Sequence, residues 1–333
     1  MDTPPTDERA RTSSHRFDDG TVADAARGNW VDTYAPPSVR PYLRLARADR
    51  PIGMWLLVFP CWWALLLAVI DSVGAAGHRG VLSTAAWYAV LFAIGAFVMR
   101  GAGCAYNDYV DRDFDAQVAR TRSRPIPSGQ VSPKAALVFV VSLSLFGLAV
   151  LVQFNSFTIA LGITSLALVA VYPFMKRYTY WPQLVLGLTF NWGALVSWAA
   201  VHGELSASPV LLYAGCVAWT IAYDTIYAHQ DKEDDLSLGL KSTAIRFGSE
   251  TKMWLGGLYA AALVFWAGAV WLAGAPIAAY LAISGIAAHF AWQVSGLDMD
   301  DPDNCLTRFK ANRWVGWLLT AGLLGDLVVV MAR

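Results

Sequence analysis

Seven stretches of this chain contain no Asp, Glu, Lys or Arg: 51–70, 80–99, 135–175, 178–201, 205–223, 253–297 and 314–325. A helix of about 20 apolar residues crosses the hydrocarbon core of a bilayer, and lipid leaves such a segment no other way to satisfy its backbone. Only 15% of the residues are charged, against about 25% in a soluble domain. The pattern implies an all-α, polytopic membrane protein.

Two stretches are too long for one helix each. Residues 135–175 divide at Gln153-Phe154-Asn155-Ser156 and 253–297 at Ala273-Gly274-Ala275-Pro276, both turn-like. Nine helices are therefore expected, near 50–71, 83–106, 134–152, 157–175, 181–201, 208–229, 252–273, 277–297 and 312–332. With the amino terminus in the cytoplasm, all of the 25 Lys and Arg except Arg79 and Arg333 sort to the cytoplasmic side, as the positive-inside rule requires. Residues 1–40 are polar and lack an apolar signal-peptide core; they are expected to be a disordered cytoplasmic tail ahead of one transmembrane domain, 41–333. Net charge is zero, so bulk charge points to no nucleic-acid partner. The four cysteines are scattered, without CxxC spacing, and imply neither disulfides nor a thiolate metal site.

Two acidic clusters close expected helices on the cytoplasmic side. In Asn107–Asp115, the residues Asn107, Asp111 and Asp115 share one face if the helix continues through them; Asp224, Asp231 and Asp235 form a similar stripe in the second cluster. Carboxylates stacked on one face repel unless a cation sits among them. Mg²⁺ takes one or two carboxylates together with phosphate oxygens, so two facing clusters make a clamp for a Mg²⁺-bridged diphosphate. Basic residues follow closely: Arg120, Arg122 and Arg124, then Lys241 and Arg246. Arg124 and Lys241, in compact turn-rich stretches, are the favoured phosphate binders. Solvated helix ends and plain topology signals are the alternative for these charges.

Asn107–Asp115 with Arg124-Pro-Ile-Pro-Ser-Gly129 resembles the first signature of the UbiA superfamily of intramembrane prenyltransferases, and Asp224–Asp235 resembles the second. Arg50-Pro51-Ile52-Gly53, Trp181-Pro182-Gln183 with Phe190–Ala194, and Tyr223–Asp235 are similar to the 4-hydroxybenzoate polyprenyltransferase branch. The resemblance covers about residues 41–333. It implies nine helices around a central cavity near the cytoplasmic face of a bacterial inner membrane. It further implies that Asn107, Asp111, Asp115, Asp224, Asp231 and Asp235, supported by Asp108, hold two Mg²⁺ ions on a polyprenyl diphosphate, and that Arg50 lines the side taken by 4-hydroxybenzoate. The implied reaction is aromatic prenylation for ubiquinone biosynthesis, with membrane lipids around the cavity.

In that reading Tyr109 and Tyr227 are candidates to face the allylic cation. Asn191 orients substrate or packs helices, and His229 is a plain neighbour or a base. Asp326, an acid deep in the last helix, is functional by default unless it lies near the outer interface, and no role is assigned to it. Rival readings are a cation-coupled transporter, a CDP-alcohol phosphotransferase, whose Asp-Gly-x-x-Ala-Arg run is missing here, and a sibling prenyltransferase with another aromatic or haem acceptor.

Overall fold

A computed structural model describes residues 22, 25, 28–76, 79–118 and 121–333, and the side chains of all but 74–81 among them. Every regular element in these residues is helical. Two short helices, α1 (Trp30–Tyr34) and α2 (Arg40–Leu45), precede α3 (Ile52–Ala76) and α4 (Arg79–Asp115). The middle of the chain forms α5 (Pro133–Leu151), α6 (Ser156–Val171), α7 (Met175–Tyr178), α8 (Pro182–Phe190) and α9 (Gly193–His202). Then come α10 (Ala207–Ala228), α11 (Lys232–Ser237), α12 (Thr243–Phe247), α13 (Thr251–Leu272), α14 (Ala278–Ser295) and α15 (Pro302–Met331).

Among the described residues, eight helical spans are long and apolar enough to cross a membrane. The ninth expected helix, 277–297, is present as α14 but is not one of the eight. Its His289 and Gln293 dilute the apolar run; Gln293 is fully buried and accepts from the Tyr259 hydroxyl at 2.8 Å.

Helix α3 packs on α4, α9 and α15; α15 continues to α14, α14 to α13, and α13 to α10, which closes back on α8 and α15. The core is aromatic where these helices meet: Trp63, Trp219 and Trp266 are fully buried, with ring centroids 5.3–5.6 Å apart. Tryptophans inside the bilayer still need a partner for their N–H. Trp63 donates to Thr320 Oγ1 at 3.0 Å and Trp219 to Asn312 Oδ1 at 2.8 Å.

Four expectations change. The stretch 1–40 is folded near its end: Trp30 donates to the Ala48 carbonyl, the Arg44 guanidinium grips Asp32 at 2.7 Å, and Val31 is buried. An apolar residue and a charge pair give this piece something to bury and bond; residues 1–21 of the expected tail lie outside the described residues. The helix expected at 83–106 runs on to Asp115, so the first acidic cluster is helical throughout. The second cluster is not: a 3-10 turn, His229–Asp231, separates α10 from α11 and re-aims Asp231 and Asp235 relative to Asp224. The helix expected at 181–201 breaks into α8 and α9 at Asn191.

Asn191 is the reason that break is tolerated in lipid. Its fully buried amide Nδ2 donates to the Gly187 and Cys216 carbonyls and to Thr220 Oγ1, at 2.8–3.2 Å. Asp326 has a comparable role: its two carboxylate oxygens accept from the Ala278 and Ala279 N–H groups, both at 2.8 Å. It therefore caps α14 from the neighbouring helix, where N-terminal amides are otherwise orphaned. Asp326→Ala is expected to cost about 1–3 kcal/mol, read as a lower thermal unfolding midpoint in detergent. Asn191→Leu is expected to lower stability by a similar amount while leaving substrate KM values unchanged. A raised KM in the folded Leu variant would return Asn191 to the substrate wall.

Candidate active site

The site is built where α4, the loop after it, and the α10–α11 corner converge. Residues 121–132 are a packed structure rather than a free loop. Ile126 and Val131 are buried against Leu45, Ala105 and Ala136, Val131 N–H donates to the Pro125 carbonyl at 2.9 Å, and Gly129 takes a left-handed φ of 77°. That conformation suits glycine because it has no Cβ. The packing brings Arg124 back to α4, where its NH1 lies 2.8 Å from Asp115 Oδ2 and 3.3 Å from Asp108 Oδ1. Asp108, wholly buried, also receives Arg47 NH2 at 2.7 Å. Arg47 has φ 58°, a conformation uncommon outside glycine, and this turn lets it face α4.

Asn107 Nδ2 donates to Asp111 Oδ2 at 3.3 Å, and Arg177 of α7 binds Asp111 at 3.0 Å. Next to Arg177, Lys176 stands close enough to Asp111, Asp224, Asp231 and Asp235 for all four carboxylates to act on its ammonium. One lysine from a third element thus lies within electrostatic reach of both acidic clusters, and Tyr172 within reach of Asp111 and Asp224.

Below this charged collar lies a cavity of about 1010 Å³. Of the residues singled out from sequence, Arg50, Asn107, Asp108, Arg124, Asp224 and Tyr227 line it. Asp111, Asp115, Asp231 and Asp235 do not line it but sit in the collar above. Lys241 is elsewhere: its ammonium bonds the Tyr178 carbonyl at 3.2 Å and lies 5.5 Å from the Tyr180 ring, tying two loops together. Tyr109 packs near Leu45 and Ile126 under the Arg112 guanidinium. His229 faces Thr251. Arg120 lies outside the described residues.

Sequence reasoning passed over several wall residues. Phe309 is one: it packs between Tyr223 and Tyr227, the latter already singled out from sequence, with ring centroids 5.8 and 4.7 Å away, and all three line the cavity. Arg100, an arginine well inside α4, is the most consequential. Its NH1 donates to the Arg47 carbonyl at 3.0 Å, and no described carboxylate lies within ion-pair distance. Gly53 makes room for it: a Cβ there would lie 2.6 Å from Arg100 Nε and 2.8 Å from Cζ. Arg50, by contrast, is already bonded to Asp49 through Nε at 3.2 Å and NH2 at 3.0 Å. A charged residue seven positions before Asn107, directly after the uncharged stretch 80–99, was the available signal.

Among the described residues, no three His, Cys, Asp or Glu side chains gather closely enough to hold a metal by themselves. Arg47, Arg124 and Arg177 engage Asp108, Asp115 and Asp111. The donor set still fits Mg²⁺: hard oxygens from Asn107 and Asp111 on one helix and from Asp224 on another suit an ion that shares its ligands with phosphate.

Comparison with known proteins agrees with this geometry. The chain is 44% identical over 307 residues to "4-hydroxybenzoate polyprenyltransferase, mitochondrial" of Arabidopsis thaliana, covering 92% of this chain and 73% of that protein. It is 47% identical over 302 residues to the Homo sapiens protein of the same name, covering 88% and 77%. Among solved structures, a UbiA homolog from Aeropyrum pernix K1 superposes with a TM-score of 0.67 at 25% identity, covering 81% of this chain and 97% of that one. The fold is also that of a UbiA homolog from Archaeoglobus fulgidus bound to GPP and Mg²⁺, with a TM-score of 0.59 at 17% identity and coverage of 88% and 100%. The expectation of a bacterial inner membrane is overturned by the relatives' names, which are mitochondrial. Residues 57–316 match the family model directly, and the chain belongs to the UbiA prenyltransferase family.

Proposed function

We propose that this protein transfers a polyprenyl group from polyprenyl diphosphate to carbon 3 of 4-hydroxybenzoate, with residues 41–333 as the prenyltransferase domain. The observation that carries the reading is that members of both acidic clusters, Asn107 and Asp108 from the first and Asp224 from the second, line a single cavity, in a chain 44–47% identical to proteins named for this activity. A transporter reading finds no support in these relatives.

Asn107, Asp111, Asp224, Asp231 and Asp235 would hold Mg²⁺, as two ions, against the diphosphate; Asp108 and Asp115 shape the site through Arg47 and Arg124. When bound, Mg²⁺ neutralises the charge that develops on the leaving diphosphate. Lys176 and Arg177 add fixed positive charge at the same place, already oriented by the carboxylates. The allylic carbon–oxygen bond breaks, a bond forms from that carbon to the ring carbon beside the phenol hydroxyl, and the ring proton at that carbon is lost. Tyr223, Tyr227 and Phe309 present aromatic faces to the electron-poor carbon. The apolar walls exclude the water that would otherwise capture it.

The carboxylate of 4-hydroxybenzoate needs a cation in this low-dielectric setting, because an unpaired buried charge is costly. Arg100 supplies it in place of Arg50, whose guanidinium is engaged by Asp49. Arg100→Leu is expected to raise KM for 4-hydroxybenzoate by about 30-fold or more, the counterpart of about 2 kcal/mol for removing one member of a buried charge pair. KM for the prenyl diphosphate should stay close to that of the wild type.

The overall test is prenyl transfer by purified protein with 4-hydroxybenzoate, geranyl or longer diphosphates, and Mg²⁺. Chelation should abolish the product. Asp111→Ala and Asp224→Ala should each lower kcat about 100-fold or more, as loss of one electrostatic stabiliser does. Product formed with a different aromatic acceptor and none with 4-hydroxybenzoate would overturn the acceptor while keeping the chemistry.

A further inference from the structure

Arg47 is the one non-glycine residue of positive φ among the described residues. Such a conformation persists only where its surroundings impose it, and it gathers at sites whose geometry is under demand. Two contacts leave this residue in two directions. Its guanidinium NH2 donates to Asp108 Oδ1 at 2.7 Å, and its carbonyl accepts from Arg100 NH1 at 3.0 Å. Asp108 also lies 3.3 Å from Arg124, on the diphosphate side, whereas Arg100 is the cation assigned to the acceptor. The backbone of one residue therefore sets a side chain in each half of the site.

The turn is held from outside the cavity. The N–H of the next residue, Ala48, donates to the Leu43 carbonyl at 2.9 Å, and the Ala48 carbonyl accepts from Trp30 Nε1 at 2.8 Å. Val31, Ala35 and Ala48 are buried together against Leu43. Three residues before the turn, Arg44 grips Asp32 through Nε at 2.9 Å and NH2 at 2.7 Å, and its NH1 reaches Gln130 Oε1 at 3.2 Å. Gln130 belongs to the packed loop that carries Arg124. Leu45 is buried against Ala105 of α4, and a Cβ on Gly101 would lie 3.1 Å from Ala46 Cβ, so the segment sits directly on that helix. Trp30 contributes little by burial, because 46% of it is exposed. What it delivers is one N–H to the carbonyl beside the strained residue.

We propose that residues 28–48 form a strap that sets the Arg47 turn, which makes Trp30 and Asp32 positioning residues for both substrates. Through the Arg47 guanidinium the strap governs the diphosphate side, and through the Arg47 carbonyl it governs the acceptor cation. Both halves rest on the reaction proposed above, but only the second depends on the role given to Arg100. The first stands on the Arg47–Asp108 contact and needs no acceptor. Neither Trp30 nor Asp32 lines the cavity, so their effect on substrate travels through Arg47 and vanishes once the relaying contact is gone.

The test uses the full chain in lipid, with Trp30→Phe, which keeps a ring and removes the N–H, and Asp32→Asn, which keeps the shape and removes the charge. Thermal unfolding verifies that each variant is folded. The first readout is KM for 4-hydroxybenzoate, in the wild type and in an Arg100→Leu background. The second is displacement of radiolabelled geranyl diphosphate with Mg²⁺ and no acceptor, in the wild type and in an Arg47→Ala background. Each strap variant is expected to weaken both by about fivefold, the scale of one lost hydrogen bond. In the background that lacks the relaying residue it should add nothing, because the two changes act through one contact. Losses of the same size in both backgrounds, or no loss in either folded variant, would overturn the proposal. A strap effect on geranyl diphosphate that disappears with Arg47, in a protein that prenylates no 4-hydroxybenzoate, would support the strap while sinking the acceptor assignment.

Discussion

A carboxylate at the end of a membrane helix has to find a cation, and in this protein nearly every feature of the site follows from that requirement. Arg47 and Arg124 converge on Asp108, Arg124 reaches on to Asp115, and Arg177 takes Asp111. Each pair draws a different element onto α4: the turn before α3, the packed loop 121–132, and α7. The positive charge of Lys176 acts on members of both acidic clusters. Removing one partner of such a buried pair leaves the other uncompensated, so the charges hold the mouth of the cavity together as well as serving its chemistry.

The same constraint separates the two ends of the cavity. At the collar, cations and acids are paired closely, and a diphosphate with its metal enters a field already arranged for it. Two turns deeper, Arg100 has only a backbone carbonyl as its described partner, so a small anionic acceptor brings the missing charge. Deeper still the wall is apolar and glycine-rich, matching a hydrocarbon tail. Head group and acceptor are therefore sorted by charge along one helix, α4, at positions seven residues apart, with apolar wall beyond them.

Polar groups that look functional in a membrane helix need not act on substrate. Asp326 caps α14 across a helix interface, and Asn191 at the end of α8 bonds the Cys216 carbonyl and Thr220 of α10. Gln293 and Asn312 serve Tyr259 and Trp219 in the same way. Lipid offers no water to these groups, so the fold itself has to provide their partners.

The sequence by itself determined the class of fold, because uncharged runs of that length have one stable form in lipid, and it determined the approximate helix positions and both acidic clusters. Asn107, Asp111, Asp224 and Tyr227 were legible because their spacing and neighbours are local properties of the chain. Tertiary structure decided what each charge faces. It ended α10 at a 3-10 turn, moved Lys241 away from the cavity, engaged Arg50 with its neighbour Asp49, and brought forward Lys176, Tyr172, Phe309 and Arg100. Helical periodicity reports which residues share a face. Whether that face meets an arginine, a cavity or lipid depends on helices that are distant in the chain, and only packing brings them together.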